Sequence, residues 1–107
     1  MTESRLESLK RLLEEDPNDS FTRYALALEY NSLGEAETAV TYLKEVIDRD
    51  ASYLPAYHQL GQIYVRLNRT EDAKRIFREG IRVAEVAGDT HAKEEMTEEL
   101  EELEDEW

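Results

Sequence analysis

Apolar side chains recur at intervals of three and four residues along almost the entire chain. This spacing is typical of one face of an α-helix, and no segment alternates between apolar and polar residues as a half-buried strand would. Short breaks, marked by Pro17, Gly34, Asn68 and Gly88, separate the apolar stripes. The pattern therefore predicts six helices, over residues 3–15, 19–33, 36–49, 53–67, 70–87 and 90–107.

The stripes also predict which side chains form the core. In the first helix the predicted inner positions are Leu6, Leu9, Leu12 and Leu13. In the second helix they are Leu26, Tyr30 and Leu33, and in the last helix they are Ala92, Met96, Leu100, Leu103 and Trp107. Each helix thus has one apolar side to bury, and connections of two to five residues require neighbouring helices to pack antiparallel.

Residues that favour helix ends stand at the predicted boundaries. Asn18, Ser52 and Asp89 precede the second, fourth and sixth helices, where a side-chain oxygen can accept a free N–H of the first turn. Gly34 and Asn68 follow the second and fourth helices, and both residue types tolerate the left-handed backbone that ends many helices. We therefore expect abrupt helix ends and short turns.

The chain repeats itself with a period of 34 residues. Identical residues at this offset include the pairs Leu26 and Leu60, Tyr30 and Tyr64, Leu33 and Leu67, Glu37 and Glu71, Ala39 and Ala73, Glu45 and Glu79, and Ile47 and Ile81. A helix–turn–helix unit of this length cannot bury its apolar side alone, so the units are expected to stack.

The second unit resembles the tetratricopeptide repeat family. Its motif residues, at the family's spacing, are Tyr57, Leu60, Gly61, Tyr64, Ala73 and Phe77. The first unit has the same pattern but departs from it at Arg23, where the family prefers a large aromatic residue. The resemblance covers essentially the whole chain.

The resemblance implies an all-α fold, an antiparallel helix–turn–helix solenoid in a single domain over residues 1–107. Two full units, 18–51 and 52–88, are flanked by an N-terminal capping helix, 1–17, and an acidic C-terminal capping helix, 89–107. The fifth helix is predicted to be one turn longer than the third. Val86 stands where a cap is expected at strict spacing, and the candidate cap is Asp89.

In this family the first helix of each pair lines a concave groove. The resemblance places nine residues there, namely Phe21, Tyr24, Leu28, Ser32, Pro55, His58, Gln62, Val65 and Arg66. Phe21, Tyr24 and Leu28 form a second apolar stripe on the second helix, beyond its inner face. A neighbouring helix, a partner peptide or a second copy should cover this stripe. We expect an open groove, although the first helix could instead seal it.

The resemblance implies a protein–protein interaction module that binds a partner protein or peptide through the groove. The alternative is a structural protein whose apolar groove face is a homodimer contact. Some family members hold acidic chaperone C-termini with a lysine and asparagine clamp. This chain has Tyr24, Leu28, His58 and Gln62 at those places, so that function is not expected.

The net charge of −13 narrows the range of partners. It disfavours nucleic acid and anionic membranes, whereas a partner with apolar anchors and basic residues would be tolerated. There is no cysteine, and no arrangement of residues indicates a catalytic, cofactor or metal site, since His58 and His91 lie on different helices. We expect no enzymatic activity. The absence of an apolar signal core or spanning segment predicts a cytoplasmic protein.

The acids are concentrated in the last predicted helix. Residues 93–106 contain nine acids and one base, which is either a solvated outer face or a docking surface for a basic segment. Acids at a helix C-terminus oppose the helix dipole, so fraying is expected near Trp107. The acidity, with nine arginines against four lysines, fits either a salt-adapted host or an ordinary acidic protein from a GC-rich genome.

Overall fold

A computed structural model describes residues 3–105 of the protein. Within that range the chain forms six α-helices and no strand, which confirms the predicted all-α class. In chain order the helices are α1 (Arg5–Glu15), α2 (Ser20–Ser32), α3 (Ala36–Arg49), α4 (Leu54–Arg66), α5 (Thr70–Ala87) and α6 (Thr90–Glu104). The predicted extension of the last helix to Trp107, and its fraying there, fall outside the described residues.

The helices stack in chain order. The extensive contacts all join consecutive helices, and the molecule is elongated, with principal dimensions of 50 × 29 × 19 Å. This is the geometry of a solenoid, in which each unit touches only its neighbours. The predicted unit boundaries at residues 18, 52 and 89 stay predictions. The extra turn of α5 is present, because α5 has 18 residues and α3 has 14.

Two of the three predicted caps were wrong. The cap of α2 is Asp19, not Asn18, and its carboxylate accepts the N–H of Phe21 at 3.1 Å and the hydroxyl of Thr22 at 2.6 Å. The carboxylate there accepts two hydrogen bonds, and its negative charge is stabilised by the positive end of the helix dipole.

Ser52, the predicted cap of α4, instead donates its hydroxyl to the Asp50 carboxylate at 2.9 Å. The helix begins at Leu54 without a side-chain cap, and Pro55 in its first turn has no N–H that needs one. The third predicted cap is confirmed, since Asp89 accepts the N–H of Ala92 at 3.0 Å.

Left-handed backbone occurs at the predicted turns. The φ angles are +83° at Gly34, +61° at Asn68 and +72° at Gly88. The chain reverses within a few residues at these points, which turns α3 back along α2, α5 back along α4, and α6 back along α5.

The core follows the repeat motif. Leu26, Leu60 and Phe77 are almost completely buried. A Cβ atom at Gly61 would overlap the ring of Phe77, so the glycine allows α4 and α5 to approach with the ring between them. Small residues at the crossing points thus set the distance between paired helices.

Two predicted inner positions were wrong. Leu12 is 43% exposed, because α1 packs through Leu9 and none of the helices among residues 3–105 covers its outer side. Leu33 is 56% exposed because it is the residue after the last turn of α2, where the backbone already turns away from the core. The exposure of Leu12 and Leu33 therefore depends on which side chains the neighbouring helices cover and on where α2 ends.

Arg23 is buried although the sequence pattern marked it only as a departure from the motif. It is 4% exposed, and its Nε atom lies 3.5 Å from the Glu45 carboxylate of α3. The residue at the same place in the second unit is Tyr57, whose hydroxyl donates to the carbonyl of Ala51 at 2.7 Å. One unit therefore fills this place with an ion pair and the other with an aromatic ring.

Candidate functional site

Three helices, α2, α4 and α6, border one concave surface, which we call the groove. Its larger cleft, of about 640 Å³, lies at the C-terminal end of α4. A smaller cleft, of about 250 Å³, lies at the N-terminal end of the same helix. Residues from all three helices line each cleft, so α4 forms the floor, and α2 and α6 form the two walls.

The α2 wall is apolar and uncovered. Phe21 is 66% exposed, and Tyr24 and Leu28 are half-buried. The Tyr24 ring packs against the ring of Tyr53 with a centroid distance of 5.4 Å. Burial, with a smaller contribution from Tyr53, raises the pKa of Tyr24, so its hydroxyl stays protonated near neutral pH. The wall is therefore a fixed aromatic surface with one neutral polar group.

The first helix packs on the other side of α2. Arg5 pairs with Glu29 at 3.1 Å, and the Lys10 ammonium lies 5.8 Å from the centre of the Tyr30 ring. Phe21 is 66% exposed, so α1 does not cover it. The sealing of the stripe by α1, one of the outcomes left open by the sequence, does not occur.

The floor is joined to the α6 wall by polar contacts. The side-chain amide of Gln62 donates to the Glu99 carboxylate at 2.8 Å, and the imidazole of His58 also contacts that carboxylate. His58 in turn lies at the edge of the Phe77 ring, with a centroid distance of 6.3 Å. These contacts fix α6 beside α4 and separate the two clefts.

The structure brings six of the nine predicted groove residues together. The clefts are lined, among others, by Tyr24, Pro55, His58, Gln62, Val65 and Arg66. The other three, Phe21, Leu28 and Ser32, lie on α2 but line neither cleft. As partner-binding residues, all nine stay predictions.

The residues of the α6 wall were not predicted, since the groove expected from the resemblance ended with the fourth helix. Its cleft-lining residues are Ala92, Glu95, Met96, Glu99, Glu102 and Leu103, together with Asp89 and His91 from the start of the helix. The sequence nevertheless contains a pattern from which these residues can be predicted. If the 34-residue period is lengthened by the three extra residues that place the cap at Asp89, then Pro55, His58 and Gln62 map onto Ala92, Glu95 and Glu99. Val65 and Arg66 map onto Glu102 and Leu103 in the same way.

Among residues 3–105, no group of three or more histidine, aspartate or glutamate side chains is arranged to hold a metal ion. His58 and His91 each contact a glutamate, at Glu99 and Glu95, on or beside the α6 wall. None of the described helices is both long and apolar enough to cross a membrane.

Stacked antiparallel helix pairs whose first helices line a concave groove define a helical repeat protein of the solenoid type. Residues 30–86 match the family model described as tetratricopeptide repeat. The chain therefore belongs to the tetratricopeptide repeat family, whose fold is a non-enzymatic one that mediates interactions between proteins.

Three relatives illustrate the match. A tetratricopeptide repeat domain protein of Salinibacter ruber is 37% identical, with a TM-score of 0.79, and the alignment covers 83% of this chain and 90% of that one. A TPR repeat-containing protein of Pseudomonas aeruginosa is 26% identical over 92 residues, 86% of this chain and 88% of that protein. YrrB, described as a TPR protein with an unusual peptide-binding site, is 26% identical with a TM-score of 0.67, over 73% of this chain and 40% of YrrB.

Proposed function

We propose that the protein is an interaction module that binds a peptide segment of a partner protein in the groove. The observation that carries the proposal is the uncovered α2 wall, where Phe21 is 66% exposed beside Tyr24 and Leu28. Aromatic and aliphatic side chains in a concave surface bury much area on binding and lose little rotamer freedom, so they commonly anchor partners.

The groove also offers polar groups that can orient a bound backbone. Gln62, Arg66 and Asn31 line the larger cleft, and Gln59 lies between both clefts. A peptide backbone that leaves water needs such donors and acceptors, since unpaired buried polar groups are costly. The peptide-binding site named for YrrB is consistent with this use of the fold.

The test uses a phage-displayed library of random peptides of about twelve residues, a length that spans several side-chain sites. Selected peptides are titrated into ¹⁵N-labelled protein. We expect amide shifts at Tyr24, Leu28, Gln62 and Val65, and no shifts on the opposite side of the molecule. Peptides that shift only residues outside α2, α4 and α6 would contradict the proposal.

A matched pair of variants separates binding from folding. Tyr24→Ala with Leu28→Ser should weaken binding of the selected peptides at least tenfold while the helical circular dichroism signal is retained. Val86→Ser is the control, because Val86 is 91% exposed at the end of α5 and does not line the groove. It should leave the affinity unchanged.

The second candidate is self-association through the same wall. An exposed large aromatic residue such as Phe21 would be buried equally well by a second copy. Sedimentation at two concentrations separates the candidates. A dimer that dissociates on dilution and is lost in Tyr24→Ala with Leu28→Ser supports self-association, whereas a concentration-independent monomer excludes it.

A further inference from the structure

The two walls of the groove differ in chemistry. On the α2 side, Tyr24 lines the smaller cleft and Asn31 lines the larger one, with the exposed Phe21 and the half-buried Leu28 on the same helix, whereas the α6 wall carries three carboxylates, Glu95, Glu99 and Glu102. Their spacings of four and three residues place them on one face of α6, and all three line a cleft. A segment lying on the α4 floor would therefore meet Tyr24 and Asn31 of α2 on one side and the acids of α6 on the other.

Two acids near the groove have arginine or lysine partners, whereas within the described part of the chain Glu102 has none. Glu104 pairs with Arg78 at 2.6 Å and Glu85 pairs with Lys93 at 3.0 Å, so these carboxylates have basic partners. Within residues 3–105, no basic side chain lies within 4.0 Å of Glu102. Its charge is left facing the larger cleft.

The partners of the other two groove carboxylates leave the wall acidic. Glu99 is held by the neutral amide of Gln62 and by His58, and Glu95 lies 3.5 Å from the largely exposed His91. Among the described residues that line the larger cleft, the only arginine or lysine is Arg66 on the floor. Carboxylates along a concave surface with apolar groups beneath them concentrate a negative potential there.

We propose that the groove selects a partner segment that presents both apolar and basic side chains. The apolar side chains pack on α2, and lysine or arginine side chains pair with Glu95 and Glu102, with the negative charge of Glu99 adding to the attraction. This rests on the proposed function and adds the chemistry of the partner. The net charge of −13 opposes a second copy as the occupant, because two such chains repel each other.

The experiment repeats the peptide selection with three proteins. The first is the wild type, and the second carries Glu95→Gln, Glu99→Gln and Glu102→Gln. The third is a control that carries Glu94→Gln, Glu98→Gln and Glu101→Gln, which removes the same number of charges from the exposed side of the same helix. Wild type and control should enrich peptides with more lysine and arginine than acid, whereas the groove variant should lose this enrichment.

Binding affinities of a single peptide and its uncharged analogue measure the basic preference quantitatively. The best wild-type peptide and its lysine-to-glutamine analogue are compared at low salt and at about 1 M NaCl, where the Debye length is about 3 Å. We expect the basic peptide to bind about tenfold tighter at low salt, since the exposed ion pairs with Glu95 and Glu102 and the nearby charge of Glu99 each contribute a factor of about two. The preference should shrink at high salt and disappear in the groove variant only.

A second variant guards against loss of the fold. Glu95→Gln with Glu102→Gln leaves the contacts of Glu99 with His58 and Gln62 intact, so α6 stays anchored. It should still lose most of the preference for the basic peptide. Retention of the full preference would overturn the proposal.

The outcomes also separate this inference from the proposed function. Peptides that bind in the groove but show no basic preference would overturn the inference and leave the function standing. An equal loss in the groove variant and in the control would mean that net charge, and not the wall, attracts the peptide, which also overturns it. If no selected peptide depends on Tyr24 and Leu28, both are wrong.

Discussion

The two full repeats share their helices and their offset of 34 residues but build their interiors differently. The second repeat places the Phe77 ring over Gly61 and the Tyr57 ring beside α5. The first repeat has Leu43 and Ala27 at the corresponding places, and the Arg23 guanidinium in place of an aromatic ring. The same backbone thus accepts two solutions, provided that the volumes between paired helices match.

The two repeats match in the combined volume of their paired core side chains but differ in polarity at one buried position. Phe77 with Gly61 and Leu43 with Ala27 are both large–small pairs, and the bulkier partner in the second repeat is offset by the smaller one. Arg23 is not compensated in this way, because a buried guanidinium must be paired, and Glu45 is half-exposed at 3.5 Å. We therefore expect the second repeat to contribute more to stability than the first.

The largest effect is expected for the aromatic core of the second repeat. Phe77→Ala should lower the free energy of unfolding by about 3–5 kcal/mol, and Leu43→Ala by a smaller amount within about 2–5 kcal/mol. Urea unfolding of both variants measures the difference. Val86→Ala is the control and should cost under about 0.5 kcal/mol, because Val86 is 91% exposed. A larger loss at Leu43 would reverse the comparison.

The next prediction exchanges the packing of one repeat for that of the other. Gly61→Ala should cost about 1–3 kcal/mol, because its Cβ overlaps the Phe77 ring. Adding Phe77→Leu reproduces the pair Ala27 and Leu43, so the double variant should be more stable than the sum of the single effects predicts, by about 0.5–3 kcal/mol. Unfolding free energies of the four proteins measure this coupling. If the two changes in unfolding free energy simply add, the side chains at positions 61 and 77 do not compete for the same space.

The third prediction gives the first repeat the aromatic residue of the second. Arg23→Tyr should raise the free energy of unfolding by about 1 kcal/mol, because it removes a buried charge and leaves Glu45 to water. The new hydroxyl could donate to the carbonyl of Pro17, which corresponds to the Ala51 carbonyl that Tyr57 uses. Thermal unfolding measures the change. Arg23→Ala is the matched control and should destabilise, and a loss with tyrosine as well would show that the ion pair suits its place better than a ring.

The smallest effect is expected for a surface cluster of charged side chains that is present in the second repeat and has no counterpart in the first. Arg75 and Arg69 bond to the Asp72 carboxylate at 2.5 and 3.1 Å and hold its pKa below the ordinary value. The corresponding residues in the first repeat are Thr41, Glu35 and Thr38. The stabilisation by ionised Asp72 is complete above the ordinary carboxyl pKa and is lost as the pH falls through the lower pKa of the folded state.

Acid titration of the side chain by NMR should show this lowered pKa. Asp72→Asn should remove the corresponding part of the stability loss in acid, whereas Thr38→Asn should have no effect on it. An unshifted titration of Asp72 would contradict the prediction.

Much of the fold could be predicted because its determinants are local. The bounds of α3 and α5 match the predicted ones, and Gly34, Asn68 and Gly88 turn where expected. Caps were predicted less well, since Asn18 and Asp19 have similar propensities and only the bonds to Phe21 and Thr22 distinguish them. The resemblance to the family predicted the α4 residues of the clefts and Tyr24 of α2, but it did not predict the α6 wall, because the longer α5 shifts its register.

By itself the sequence determined six helices, their antiparallel stacking and the large–small pairs between them, since these depend on spacing and on residue volume along the chain. Only the tertiary structure decided which surfaces remain uncovered. It placed α1 away from Phe21, buried Arg23 against α3, and turned Glu95, Glu99 and Glu102 of α6 toward the groove. Exposure depends on what the neighbouring helices cover, and an amphipathic pattern specifies an inner face without specifying which outer face meets a concave surface.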